Sequence, residues 1–317
     1  MPSRLKIGTR NSVLALWQAK HIQSLLLDRG YASELVPVTS DGDIDLKSPL
    51  YEMGVQGIFT RALDIALLNK TIDIAVHSLK DVPTQTAEGV VIAAVPQRGN
   101  PFDVLVYKDR LPAEGQDYMV ATSSLRRAAQ WRHKYPHHKT TPIRGNINTR
   151  LKKLTDNAAW DAAIFAKAGI ERIQLEVPQQ VTLDWMIPAP AQGALGIATR
   201  ANDDATLLAC RDLNHADTQI TTGVERSFLR ILMAGCTMPV GAYAAIIDDK
   251  IHFTGCVAAP DGSGMVTVKK SVPKSSAAEL AKWAADELLN QDGREILERH
   301  TRSISSGTFR QEPSGAE

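Results

Sequence analysis

Residues 119–153 read MVATSSLRRAAQWRHKYPHHKTTPIRGNINTRLKK, and in them an apolar run twice meets hydroxyls and arginines. The first meeting is Thr122-Ser123-Ser124-Leu125-Arg126-Arg127, and the second is Arg144-Gly145-Asn146-Ile147-Asn148-Thr149-Arg150. In each, a short β-like run ends at residues that favour helix caps, and an amphipathic segment follows. A strand entering a helix N-terminus in this way is the repeating unit of α/β sheets. Near the start of the chain Leu5-Lys6-Ile7-Gly8 enters Thr9-Arg10-Asn11-Ser12 in the same manner. A helix N-terminus presents backbone N–H groups without intrahelical partners at the positive end of the helix dipole, so it holds anions. Arginine adds a planar fork matched to carboxylates and phosphates. Ion pairing on exposed helix faces accounts for one such junction more readily than for three. The three together predict a ligand with several negative groups.

Outward from this stretch, the first two hundred residues alternate between strand and helix patterns. Leu5–Gly8, Ser33–Val38, Ile72–Val76, Val90–Ala94, Val104–Tyr107, Met119–Ala121 and Ala162–Ala166 read as strands. Leu14–Leu27, Gly57–Leu68, Leu125–Lys134 and Ile147–Thr155 read as helices. The expected class is α/β with mostly parallel sheets, whose ligands sit beyond the carboxyl ends of the strands. Pro96–Pro101 and Pro188–Gly193 are rich in breakers and read as paired crossings between lobes. The expected division is therefore residues 1–97 with 192–216 as a discontinuous first domain and 98–191 as an arginine-rich second. Residues 217–303 form a small α+β third domain, and 304–317 a disordered tail. In the third domain three strand patterns are joined by Asp248-Asp249-Lys250 and Asp261-Gly262-Ser263-Gly264. Ser276-Ala277-Ala278-Glu279 reads as a capping box before a helix with Leu280, Ala284 and Leu288 on one face.

Lysine and arginine number 36 against 35 aspartates and glutamates, a net charge of +1 over 317 residues. A nucleic-acid binder draws its affinity from a basic surplus that this chain lacks. No apolar run reaches bilayer length, and the opening MPSRLKIGTRNSVLALWQAK has no signal-peptide core, so the expectation is a cytoplasmic monomer away from membranes. The three cysteines, Cys210, Cys236 and Cys256, form neither a zinc pattern nor a disulfide framework. No metal site is expected; His133, His137 and His138 are split by Pro136 and read as a solvated loop.

Two places invite chemistry. Ile72–Val76 continues into His77-Ser78-Leu79-Lys80-Asp81-Val82-Pro83, which sets Lys80 and Asp81 at a strand's carboxyl end. Asp81 there suits cation stabilisation or proton transfer and Lys80 suits a carboxylate, with a surface ion pair as the plain alternative. His77 and Ser78 are strand neighbours that point to opposite faces, which weakens a hydrolase reading. Cys236, between Gly235 and Pro239, sits in a turn where a thiol suits a nucleophile or covalent anchor, against the commoner role of a buried apolar group. Cys210 and Cys256 fall in apolar patterns and read as core.

These segments resemble the porphobilinogen deaminase family. The matching stretches are Ile7–Ser12 with Leu14–Ala19, Val76–Pro83, Thr122–Arg127, Arg144-Gly145-Asn146 with Thr149-Arg150, and Gly235-Cys236 with Pro239-Val240-Gly241. They run in order over nearly the whole chain. The resemblance implies three domains, the first two like periplasmic binding proteins. It implies a dipyrromethane cofactor made from two porphobilinogen units and joined by a thioether to Cys236. The implied reaction condenses four porphobilinogens head to tail with loss of ammonia, then releases hydroxymethylbilane by hydrolysis. Asp81 would be the catalytic carboxylate. Arg10, Ser12, Gln18, Lys80, Thr122, Ser123, Ser124, Arg126, Arg127, Arg144, Gly145, Asn146, Arg150, Arg172 and Gln192 would bind cofactor and substrate, chiefly at acetate and propionate groups.

The chain also departs from that pattern. Glu52 and Gln56 stand where lysines are familiar, Asp41 where arginine is common, and Ala198 replaces a glutamate. Ala191-Gln192-Gly193-Ala194 replaces a glycine-first version, while Arg61 keeps a basic charge. The rival reading is a non-catalytic two-lobed binder of a small polycarboxylate, which leaves Cys236 without a task.

Overall fold

The computed structural model describes residues 4–39, 60–177, 179–232 and 238–305. Glu52, Gln56, Asp41, Cys236 and the tail beyond residue 305 lie outside them. The early strands are β1 (Leu5–Thr9), β2 (Ser33–Pro37), β3 (Ile74–Ser78), β4 (Val90–Ala94) and β5 (Asp103–Tyr107). Next come β6 (Met119–Ala121), β7 (Lys139–Thr141), β8 (Ala162–Ala166), β9 (Gln180–Leu183) and β10 (Leu195–Arg200). β11 (Val240–Ile247), β12 (Lys250–Ala258) and β13 (Met265–Pro273) complete the set.

The chain divides into two compact units. One comprises Met1–Pro101, Ala168–Leu175 and Ala191–Ile220; the other comprises Phe102–Lys167, Glu176–Pro190 and Thr221–Glu317. Ala168–Leu175, assigned to the second lobe in the sequence reading, belongs with the first unit, and it carries Arg172 there.

The first unit holds a sheet in the order β2-β1-β3-β10-β4. β1 is parallel to β2 and β3, while β10 runs antiparallel to both β3 and β4. Four strands thus share a direction and one opposes them. Alternation sends Ile7, Ile74 and Ile197 to one face, where Ala19, Ile22 and Leu26 of the Val13–Leu27 helix cover them. Ala75 and Ala198 face the other way, onto Leu63 and Leu67 of the Arg61–Leu68 helix. Gly8 lets that helix close in, because a Cβ there would fall 2.3 Å from Ile72 and 2.9 Å from Leu63.

The second unit repeats the design as β7-β6-β8-β5-β9, with β5 as the opposing strand. In each unit the reversed strand is the one the chain builds on arriving from the other unit. The second unit also contains the antiparallel sheet β11-β12-β13, on which the Ala277–Leu288 helix packs. That helix buries Leu280, Ala284 and Leu288 as expected, but its start differs from the sequence reading. A 3-10 turn over Lys274–Ser276 precedes it and the Ser276 side chain makes no capping bond.

Candidate active site

All three junctions begin helices, each capped by a polar side chain of its junction. The Ser12 hydroxyl accepts from the Ala15 N–H at 3.3 Å, the Ser124 hydroxyl from Arg127 N–H at 3.4 Å, and Asn146 Oδ1 from Thr149 N–H at 2.9 Å. Gly145 supplies the left-handed backbone at φ 113° that turns the chain into the third helix.

In the second unit two of these helix starts stand side by side, because β6 and β7 are parallel neighbours. Ser123 stitches their loops: its hydroxyl donates to the Ile143 carbonyl at 2.8 Å and accepts the Ile143 N–H at 2.9 Å. Its single proton is therefore spent within the chain. Thr122 is buried and its hydroxyl accepts from the Ser124 N–H at 3.2 Å. Ser124 and Thr122 accept in these bonds, so each keeps an O–H proton to donate. Half-buried Arg144 lies at the second start, and Arg150 stacks over the Phe165 ring at 5.0 Å.

The carboxylate that Arg126 and Arg127 grip is the chain's own. Asp103, fully buried at the start of β5, accepts Nη2 of Arg126 at 2.7 Å and Nε and Nη2 of Arg127 at 3.0 and 2.8 Å. Arg127 also donates to the Ile164 carbonyl and Arg126 to the Ile187 carbonyl. Both arginines are 6% exposed. A buried triad of two guanidiniums on one carboxylate thus ties this helix start to the start of β5.

In the first unit, Arg10 and the Leu79–Asp81 turn follow the carboxyl ends of the parallel neighbours β1 and β3. Asp81 is exposed. Lys80 Nζ donates to Gln192 Oε1 at 3.2 Å, and Gln192, 1% exposed, donates to the Pro101 carbonyl at 2.8 Å. Buried Gln18 donates to the Ser78 hydroxyl at 2.7 Å. Arg172 donates to the Gly193 carbonyl and stands 5.8 Å above the Trp17 ring, and burial pulls its guanidinium down to about 10. The two crossings touch where the Gly99 N–H donates to the Gly193 carbonyl at 3.0 Å. A Cβ on Gly193 would fall 2.6 Å from the Asn100 carbonyl oxygen. Ala191 adopts φ 60°, a left-handed backbone that glycine takes freely, which explains in physical terms the glycine-first pattern.

His77 is buried, and burial, reinforced by the Arg10 charge, lowers its pKa to about 4. At neutral pH it is an uncharged core group, not a base beside Ser78. Above pH 6.5 it is neutral in both folded and unfolded chains. As pH falls from there the unfolded chain takes up the proton first, so stability is lost as pH falls to about 4. The expected loss by pH 4 is about 3 kcal/mol. Urea denaturation at pH 7.5 and pH 4 should show His77→Gln losing less than the parent by that margin; an equal loss in both would refute the assignment.

Cys210 and Cys256 are buried and burial raises each thiol to about 12, which makes them inert core groups as expected. His138 is not solvated: it is 4% exposed, stacked on Tyr135 at 4.7 Å and bonded through Nε2 to the Ala113 carbonyl. Sequence reading missed Asp103 and Gln130. Their signals were a lone acid heading an apolar strand and an amide one turn beyond Arg126. Among the described residues no helix is long and apolar enough to cross a membrane, and no group of three or more metal-ligating side chains is assembled.

Among solved structures, the VFT2 domain of Bordetella pertussis BvgS is 13% identical with a TM-score of 0.41, over 66% of this chain and 86% of that one. The methionine-binding protein MetQ is 14% identical with a TM-score of 0.43, over 72% and 94%. The family model described as porphobilinogen deaminase, dipyromethane cofactor binding domain, matches residues 5–208. The porphobilinogen deaminase C-terminal domain matches residues 220–290. Two matches in order take in most of the sequence, and the chain belongs to the porphobilinogen deaminase family, transferases that make hydroxymethylbilane with a dipyrromethane cofactor.

Proposed function

We propose that this chain joins four porphobilinogen molecules head to tail, releasing ammonia at each joining, and frees hydroxymethylbilane by hydrolysis. Cys236 is the attachment point of the cofactor and Asp81 the catalytic carboxylate. The supporting observation is the placement of exposed Asp81 on the turn after β3, whose parallel neighbour β1 leads into Arg10.

The donor set suits a dipyrromethane, whose acetate and propionate groups need N–H donors and whose pyrrole N–H groups need an acceptor. Arg10, Ser12, Lys80 and Arg172 of the first unit serve carboxylates, as do Arg144, Arg150 and the capped helix starts at Ser124 and Asn146 of the second. Gln18 and Gln192 hold Ser78 and Lys80 in place. Arg126 and Arg127, with Thr122 and Ser123, shape the helix start that receives an anion. When bound, the cofactor would supply the terminal pyrrole to which the first ring is joined, each later ring adding to the end of the growing chain.

Asp81 does the work the chain itself contributes at the reacting rings. Loss of ammonia from porphobilinogen leaves positive charge on a pyrrole, and a fixed carboxylate lowers the energy of that charge. The same oxygens accept the pyrrole N–H and so orient the ring. The arginines hold carboxylates while the chain lengthens, which limits loss of partly built product.

The test is the intact mass of the denatured protein. An excess of two porphobilinogens less two ammonias, mapped to Cys236 and absent from Cys236→Ser, is the expected result. A protein that stays unmodified after incubation with porphobilinogen would overturn the proposal.

A further inference from the structure

Gln130 lies four residues after Arg126 in the Leu125–Lys134 helix, so both side chains leave the same helix face. It is 1% exposed, and its amide reads both polar groups of one residue. Oε1 accepts the Ile187 N–H at 2.8 Å, and Nε2 donates to the Ile187 carbonyl at 3.0 Å. Arg126 Nη1 donates to the same carbonyl at 2.7 Å. The helix that opens at the Ser124 cap thus grips the backbone just before Pro188.

Ile187 also touches the strand that follows the cysteine segment. A Cβ on Gly241 would fall 2.9 Å from the Ile187 carbonyl oxygen and 3.0 Å from its Cγ2. One residue on, the Pro188 carbonyl accepts the Ala242 N–H at 2.9 Å. Ile187 and Pro188 therefore run against the start of β11, and β11 begins at Val240, four residues after Cys236 in the sequence.

We infer that Gln130 is a positioning residue for the polymerisation. Through the Ile187 backbone it fixes the start of β11, four residues after Cys236 in the sequence, relative to the helix start capped by Ser124. This rests on Cys236 being the cofactor anchor. A primer held about 1 Å out of place slows the joining of rings without weakening the grip on free substrate.

Gln130→Leu keeps the bulk and removes both bonds; Gln130→Glu keeps the acceptor for the Ile187 N–H. In Gln130→Leu, kcat is expected to fall roughly tenfold with KM for porphobilinogen changed less than about twofold. Intact mass followed over time should show cofactor-free protein gaining its adduct more slowly by a similar factor. Gln130→Glu should lie between Gln130→Leu and the parent in both measurements. A kcat and adduct rate within twofold of the parent, even with a lower Tm, would make Gln130 merely structural and overturn the inference. An unmodified parent chain would instead remove the reading on which it rests.

Discussion

Asp81→Asn is expected to fold and to take up its cofactor normally, yet to lose turnover by about 10²–10³, or about 3–4 kcal/mol of transition-state stabilisation. The change removes charge and leaves shape, so it isolates the electrostatic contribution. Asp81 is exposed on a short turn, whereas Leu79 beside it is 1% exposed and anchors that turn in the core. Melting temperature should therefore stay within the range of ordinary surface substitutions. Steady-state release of hydroxymethylbilane, measured beside the intact mass, separates the two effects. Near-parental kcat with full cofactor would take Asp81 out of the mechanism.

Asp103→Ala should produce the largest stability loss, about 3–5 kcal/mol. The wild-type carboxylate is fully buried and neutralises two guanidiniums that are themselves 6% exposed. Without it, two like charges remain close together away from water. Domains of this kind hold about 5–15 kcal/mol in all, so the change consumes a large share. Urea denaturation at neutral pH gives the number directly, and a loss under about 1 kcal/mol would show that Asp103 is dispensable. Asp103→Asn keeps an acceptor oxygen for only one of the two arginines and turns an N–H donor toward the other, so it too should be destabilising.

The helix starts were legible because capping is local chemistry: a hydroxyl or amide three residues from the N–H it accepts leaves its signature in adjacent letters. Ser12, Ser124 and Asn146 all behave that way. The partner of Arg126 and Arg127 was not legible, because Asp103 lies more than twenty residues upstream and only the antiparallel entry of β5 beside β8 brings it near. β10 escaped for a different reason. Its sequence LGIATR carries a glycine, a threonine and an arginine, yet every residue is buried. Arg200 is tolerated at its end because Asp73, Asp203 and the Leu67 and Ile72 carbonyls surround the guanidinium. β7 and β9 are short and largely polar or exposed, unlike the equally short but apolar β6, so no buried run marked them.

The order in which the strands are made differs from the order in which they stand. β4 finds its hydrogen-bonding neighbour in β10, about a hundred residues later, whereas β5 through β9 are contiguous in sequence and complete one sheet among themselves. During synthesis the five-stranded sheet that is begun first is thus completed after the one begun second. Until Leu195–Arg200 has emerged, β4 waits with both edges bare and β3 with one, exposures that invite pairing with other chains. A chain cut short after β9 would carry a finished second sheet beside an unfinished first, and shielding of those edges by the translating ribosome or a chaperone would matter most in that interval.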